Sequence, residues 1–330
     1  MGWPDLQKTC MRTRNNRQRR RYLTLPTLTA FALLAATWDF APHSMAQPVA
    51  PPSASSASTP AAPQLSNEEA QTMVKRVLQT ELNAATDNSH PMQYRLRKMS
   101  PRLATTKLIV ETKDGDVAHL IAINDNPLST QDQENEETRL KSLLSDPSLQ
   151  RHRMQREQGD SERARKVMRG LPTAFIYTYA VIVDTPQGPS YRMTFQPNPG
   201  FDPQDLEAQA LKGMAGELWI DAAQQRVTRL QCKRIKDVDY GFGILGKLDR
   251  GGTLLLEQAD IGNHQWRTTH MVLVMDARFL IKTVKLDTTL DLSQFSPVAN
   301  GLSYQQAIQL LESQNQNSSI AQGSFKQAGK

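Results

Sequence analysis

Gly241-Phe-Gly-Ile-Leu-Gly-Lys247 places glycines and a lysine at the spacing with which a phosphate-binding loop turns its backbone N–H groups onto a nucleotide. The next position must be Ser or Thr to hold magnesium, and here it is Leu248. Strand-like sequence lies on both sides, where a helix should follow, so the stretch is read as a bulge or tight turn of a curved sheet. Of the six histidines, His43 belongs to the N-terminal segment and the others are scattered, with no i, i+4 pair. His270 alternates with Trp266, Thr268, Val272 and Val274, which predicts a hydrogen-bonded core histidine. No Gly-x-Ser-x-Gly elbow occurs, and Cys232 reads as a half-buried strand residue. These patterns lead to no expected catalytic residue, metal site or cofactor, and the enzyme reading is negative.

Two other sets bear on binding. Arg151, Arg153, Arg156, Arg163, Arg165, Lys166 and Arg169 crowd one stretch, interspersed with Glu157, Asp160 and Glu162. That mixture predicts a solvated helix face, and its alternative is contact with anionic headgroups or an envelope partner. Phe175, Tyr177, Tyr179, Trp219, Leu254, Leu256 and Trp266 are core candidates that would line a ligand cavity if the sheet is curved and open.

The elements that must position these residues are legible from periodicity. Ser66 with Glu69 forms a capping box, and Ala70, Met73, Val74, Val77, Leu78 and Leu82 recur at helical spacing to about Ala85. Strands are expected at Tyr94–Met99, Lys107–Glu111 and Val117–Ile123, the last two flanking the Asp114-Gly115 turn. Residues 129–170 turn helical and charged, with breaks expected near Asp146-Pro147 and Gly159-Asp160. Seven strands follow, at Phe175–Val183, Tyr191–Phe195, Gly216–Asp221, Arg226–Arg234, Thr253–Ile261, Trp266–Met275 and Phe279–Leu292. Short links between consecutive strands predict an antiparallel meander. A short helix begins at Ser303, with Ala307, Leu310 and Leu311 inward. The fold class expected is α+β: a single large antiparallel curved sheet, an open half β-barrel, with helices on its concave side and a helical insertion.

The chain ends carry a separate message. Six arginines from Arg12 to Arg21 precede an apolar run from Leu23 to Trp38, and Ser44 and Ala46 stand at the positions a signal peptidase reads. Residues 1–46 are therefore expected to be a signal peptide and the protein to be exported, to the periplasm. The alternatives are an uncleaved signal anchoring it to the inner membrane, or secretion. Gln18-Arg19-Arg20-Arg21-Tyr22-Leu23 resembles a twin-arginine signal, so the route is either that or the general secretory one. The net charge of +6 sits almost wholly here: seven of the 39 Lys and Arg but only two of the 33 Asp and Glu lie before residue 47. What remains is 32 basic against 31 acidic residues, which gives no footprint for nucleic acid. Residues 47–65, rich in Pro, Ala and Ser, read as a disordered linker, 66–312 as one domain and 313–330 as a disordered tail.

Met214-Ala-Gly-Glu-Leu-Trp-Ile-Asp221 followed by Arg226-Val-Thr-Arg-Leu230 resembles the strand-turn-strand hairpin of bacterial lipoprotein carriers of the Lol type and related periplasmic sensors. That resemblance implies an unclosed sheet wrapping helices around a cavity for acyl chains. Phe195-Gln-Pro-Asn-Pro199, Met214-Ala-Gly216 and the segment from Gly243 to Gly252 look like motifs of a family of exported bacterial proteins of unknown function. The charged insertion at 129–170 departs from the carriers. The expected function is a non-catalytic exported protein binding an apolar ligand, lipid or acyl chain. The alternatives are an envelope sensor or interaction module acting through the insertion, and an unrecognised hydrolase.

Overall fold

The computed structural model describes residues 65–240, 246–279 and 282–314, with the side chains of Tyr179, Tyr240, Phe279 and Lys282 outside that set. The expected signal with Ser44 and Ala46, the linker up to residue 64, the tail from 315 and Gly241–Leu245 lie outside the described residues.

Helix α1 (Asn67–Ala84) starts where the sequence places it. The Ser66 hydroxyl accepts from the Glu69 N–H, and the Glu69 carboxylate accepts from the Ser66 N–H, closing the capping box. Strands β1 (Met92–Ser100), β2 (Leu103–Val110) and β3 (Val117–Ile123) make a meander, extended by the two-residue β4 (Asn126–Pro127). Helices α2 (Thr130–Ser145) and α3 (Pro147–Ala174) follow, then β5 (Phe175–Thr185), β6 (Gly188–Pro197) and a short 3-10 helix at Glu207–Leu211. The rest of the sheet is β7 (Met214–Asp221), β8 (Val227–Arg234), β9 (Val238–Tyr240), β10 (Gly246–Leu248), β11 (Thr253–Asp260), β12 (Trp266–Phe279) and β13 (Lys282–Pro297). Helix α4 covers 304–314.

All thirteen strands among the described residues join one antiparallel sheet, in the order β4-β3-β2-β1-β13-β12-β11-β8-β7-β6-β5, with β9 and β10 branching from β12. The long strand β13 pairs with β1 as well as β12, which stitches the first hairpins to the last. The architecture is the expected α+β one, a single curved sheet not closed into a barrel. Its main core lies between the helices and one sheet face: Val74, Val77 and Leu78 of α1 and Leu171 of α3 meet Phe195, Leu218, Ile220 and Leu254. Each such side chain contributes about 1.5 to 3 kcal/mol by leaving water.

The structure departs from the sequence reading in places that have physical causes. Helix α3 runs unbroken through Gly159 and continues past Pro172 to Ala174. Its buried face, Val167, Leu171 and Ala174, packs into the main core, and that outweighs the roughly 1 kcal/mol cost of a helical glycine. His270 does not share a face with Trp266. Thr268 pairs with Gln258 while His270 pairs with Glu257, so Thr269 is an extra residue in β12. That bulge turns His270, Val272 and Val274 to the outer face, where His270 Nδ1 lies 2.7 Å from Asp291 Oδ1. The described part of the glycine-rich segment is strand: Gly246–Leu248 pairs with β9 and β12, and Leu248 is fully buried.

Candidate functional site: a cavity beneath two helices

The last two turns of α1 and the second half of α3 do not reach the sheet everywhere. Between them and β5, β7, β8, β11 and β12 lies a cavity of about 940 Å³, its open mouth included. Leu78, Met168 and Leu171 form its roof, and Leu218, Leu230 and Leu256 form its floor. The floor follows from register. Leu218 pairs with Leu230, and Leu230 with Leu256, so three leucines from adjacent strands stand abreast on one face. Tyr177 closes one side, its hydroxyl donating to the Leu171 carbonyl at 3.1 Å, and burial pushes that phenol's ionisation far above its ordinary value.

At the mouth the chemistry changes. Glu81, on the otherwise apolar face of α1, is 6% exposed and accepts from Arg226 Nε at 2.8 Å and Nη2 at 3.0 Å. The Val227 N–H donates to Glu81 Oε1 at 3.0 Å, so the carboxylate is held by two donors of a fork and one of the backbone. Arg226 lies over the Trp266 ring, 5.8 Å from its centroid, and Trp266 Nε1 donates to Gln224 Oε1 at 2.8 Å. One end of the cavity is thus rimmed by a satisfied ion pair and an indole, while the rest of the lining is mostly hydrocarbon, with Gln258 and Thr268 among it. Apolar walls with a few convergent polar groups mark ligand sites in general.

The residues proposed from sequence as cavity lining divide between locations. Tyr177, Leu256 and Trp266 line this cavity, and Leu254 lines a neighbouring one. Phe175 is buried in the core against Phe195, ring centroids 4.5 Å apart. Trp219 sits on the outer face, stacked near Arg192 and donating to Glu217 Oε2 at 3.2 Å. The Tyr179 side chain lies outside the described residues. Sequence reasoning missed Leu218, Leu230, Glu81 and Arg226. The signal for the pair was present: a glutamate at an inward position of α1 requires a buried cation or donor.

The basic stretch of α3 is largely neutralised within the chain. Arg163 pairs with Asp160, Arg165 and Arg169 both reach Glu162, and Lys166 lies 3.3 Å from Glu207. Arg156 Nε donates to the His152 carbonyl, and Arg151 is exposed. Arg153 is buried and donates to the Asp116 carbonyl at 3.0 Å, so it grips the β2–β3 turn and does not face solvent. Gln150 and Glu157 hold the same turn, through the Asp114 carbonyl and the Asp116 N–H. Gly115, at φ +89°, passes so close that a Cβ there would stand 2.8 Å from Glu157 Oε2.

Among the described residues no group of three or more His, Cys, Asp or Glu side chains is arranged to hold a metal. No protein-family model and no curated protein matches the chain. Among solved structures it is similar to a domain from Vibrio parahaemolyticus assigned to outer membrane lipoprotein sorting, at 11% identity. That match covers 72% of this chain and 95% of that one, with a TM-score of 0.27. It is also similar to a DUF1329 family protein from Desulfovibrio piger, at 10% identity over 71% of this chain and 95% of the other, with a TM-score of 0.25.

Proposed function

We propose that this chain is a non-catalytic binding protein, exported to the periplasm by residues 1–46, which holds an apolar ligand or acyl chain in the cavity beneath α1 and α3. The observation that carries the reading is the leucine floor beneath the helices, where Leu218 is buried but Leu230 and Leu256 are only half-buried at a cavity lined mostly by apolar side chains. An apolar surface of that kind gains free energy, about 25 cal/mol per Å², from any hydrocarbon that replaces water on it. The Glu81–Arg226 pair rims the mouth. Residues 47–65 then act as a spacer between the export signal and the domain.

Displacement of a fluorescent fatty acid from the delipidated protein tests this, with native mass spectrometry of protein taken from cells as the companion measurement. Wild type should take up the probe with saturable affinity. Leu256→Trp, which fills the floor with a larger ring, should weaken uptake at least tenfold while leaving the circular dichroism spectrum unchanged. A wild-type protein that emerges ligand-free and ignores the probe would remove the proposal.

A further inference from the structure

A second hollow of about 490 Å³, its open side included, lies on the same sheet face. Leu254 and Leu273, paired across β11 and β12, meet Leu211 and Met214 there. Leu254 stands two residues from Leu256 of the main cavity on the same face of β11, so the two hollows are separated by roughly 7 Å of strand.

One side chain of this wall is out of keeping with the rest. Arg234 is 3% exposed, and its Nη1 donates to the carbonyls of Ala210 and Lys212 at 3.1 Å each, tying down the 3-10 helix. Its Nε is buried and has no hydrogen-bond partner. Among the described residues no carboxylate acts on it. The ionisable neighbour is the Cys232 thiol, which burial pushes up to about 12 and keeps neutral at pH 7. Burial alone pulls the guanidinium down to about 10, which still leaves it charged. A buried cation with two carbonyl contacts and no anion is poorly compensated, and a donor left unpaired in a dry site favours whatever acceptor can reach it.

We infer that the second hollow is the head-group site of an anionic amphiphile: a fatty-acid carboxylate pairs with the Arg234 guanidinium in its wall, and its tail runs past Leu254 and Leu273 toward the main cavity. The inference rests on the apolar-ligand reading above and adds a head group to it. If Arg234 served only to tie down the 3-10 helix, the protein would show no preference between head groups.

Titration calorimetry at pH 7.5 with dodecanoate and dodecanol, matched in chain length and kept below micelle concentrations, separates the two. Wild type should bind the carboxylate at least tenfold more tightly than the alcohol, the scale of one charge-assisted hydrogen bond. Arg234→Met should erase the preference while the alcohol still binds, and Arg234→Lys should retain part of it. Carboxyl-labelled dodecanoate bound to wild type should also titrate well below the ordinary carboxylate range by carbon-13 NMR, a measurement that stands even if the variants fail to fold. Equal wild-type affinity for acid and alcohol, or an unshifted carboxyl, overturns this inference and leaves the cavity reading intact. Binding of neither ligand overturns both.

Discussion

Where α1 and the second half of α3 cover the sheet, the buried residues are mostly apolar, among them Val74, Val77, Leu78, Val167 and Leu171, with Glu81 as the charged exception. Around the β2–β3 hairpin, α2 and the first half of α3 bury Glu136, Gln150, Arg153 and Glu157 as well as Leu140 and Leu143, with Lys107 beside them. The difference follows from what the sheet offers in each place. Strands β7, β8, β11 and β12 each have two neighbours that satisfy their backbone, so the helices above them need mainly hydrocarbon, and hydrocarbon contact has no fixed direction. At the far edge, where β5 ends the sheet, α1 adds a side-chain bond, the Tyr177 N–H donating to Gln71 Oε1. Around β3 the ladder runs out, because β4 is two residues long and pairs only with Ala122 and Ile123. The Leu120 N–H therefore donates to Glu136 Oε1 at 2.8 Å, and Arg139 donates to the Ala118 carbonyl, so α2 caps an open edge with side chains in place of a strand. Directional bonds hold α2 and the start of α3 closely against the hairpin. The non-directional packing at the other end tolerates a gap, and that gap is the cavity.

The sharpest way to break the contrast is to remove the buried ion pair at the cavity mouth. Arg226→Met leaves the Glu81 carboxylate buried with only the Val227 N–H, and the expected loss is about 3 to 5 kcal/mol in urea unfolding. Glu81→Leu combined with Arg226→Met should recover most of it, since no charge is then stranded. If the single and double variants lost the same amount, the pair would not be the polar anchor of this end.

At the hairpin end the largest effect has the opposite sign. Burial, reinforced by Arg139, holds the Lys107 ammonium down at about 8 against an ordinary value near 10.5. Between those values the unfolded chain binds more protons, so stability rises with pH from about 8 to about 10.5. Below pH 8 both states are charged and the full penalty is present. Lys107→Met should therefore stabilise the protein at pH 7 by about 3 kcal/mol and abolish that alkaline rise. Urea midpoints at pH 7, 9 and 10.5 would check both, and a destabilised Lys107→Met would mean that the ammonium is needed where it stands.

How much of this was readable beforehand divides along the same line. The apolar end announced itself: the capping box at Ser66, the helical recurrence from Ala70 to Leu78 and the alternation of β13 are local patterns, and local patterns survive folding. The polar end depends on partners far apart in sequence. Arg153 reads as a solvated cation until the turn at Asp116 is brought against it, and the role of Glu136 emerges only when β3 presents the Leu120 N–H. Trp219 reads as cavity lining because strand alternation alone does not say which face is inward. Thr269 shows a second limit, since one extra residue in β12 reverses the facing of everything on one side of it. The ion pair at the cavity mouth joins residues 145 apart, yet the odd glutamate on α1 was visible in its periodicity.

The smallest expected effect sharpens the comparison by separating helix stability from cavity function. Ser66 caps α1 at the end away from the cavity, whose wall is made by Leu78, Glu81, Ala84 and Ala85 in the last two turns. Ser303 makes the same reciprocal bonds with Gln306 at the start of α4, which packs with α2 on the hairpin side. Each Ser→Ala change should cost about 1 kcal/mol, measured by urea unfolding. Because α1 is also pinned by Gln71, whose side chain donates to the Pro172 carbonyl at 2.6 Å, the fraying caused by Ser66→Ala should stop at the first turn. Hydrogen exchange should then quicken at the first α1 amides alone, and fatty-acid affinity should stay within twofold of wild type. An affinity loss that tracks the stability loss would mean that α1 moves as one body over the cavity, and the non-directional packing of this end would then be as tightly coupled as the bonded packing of the other.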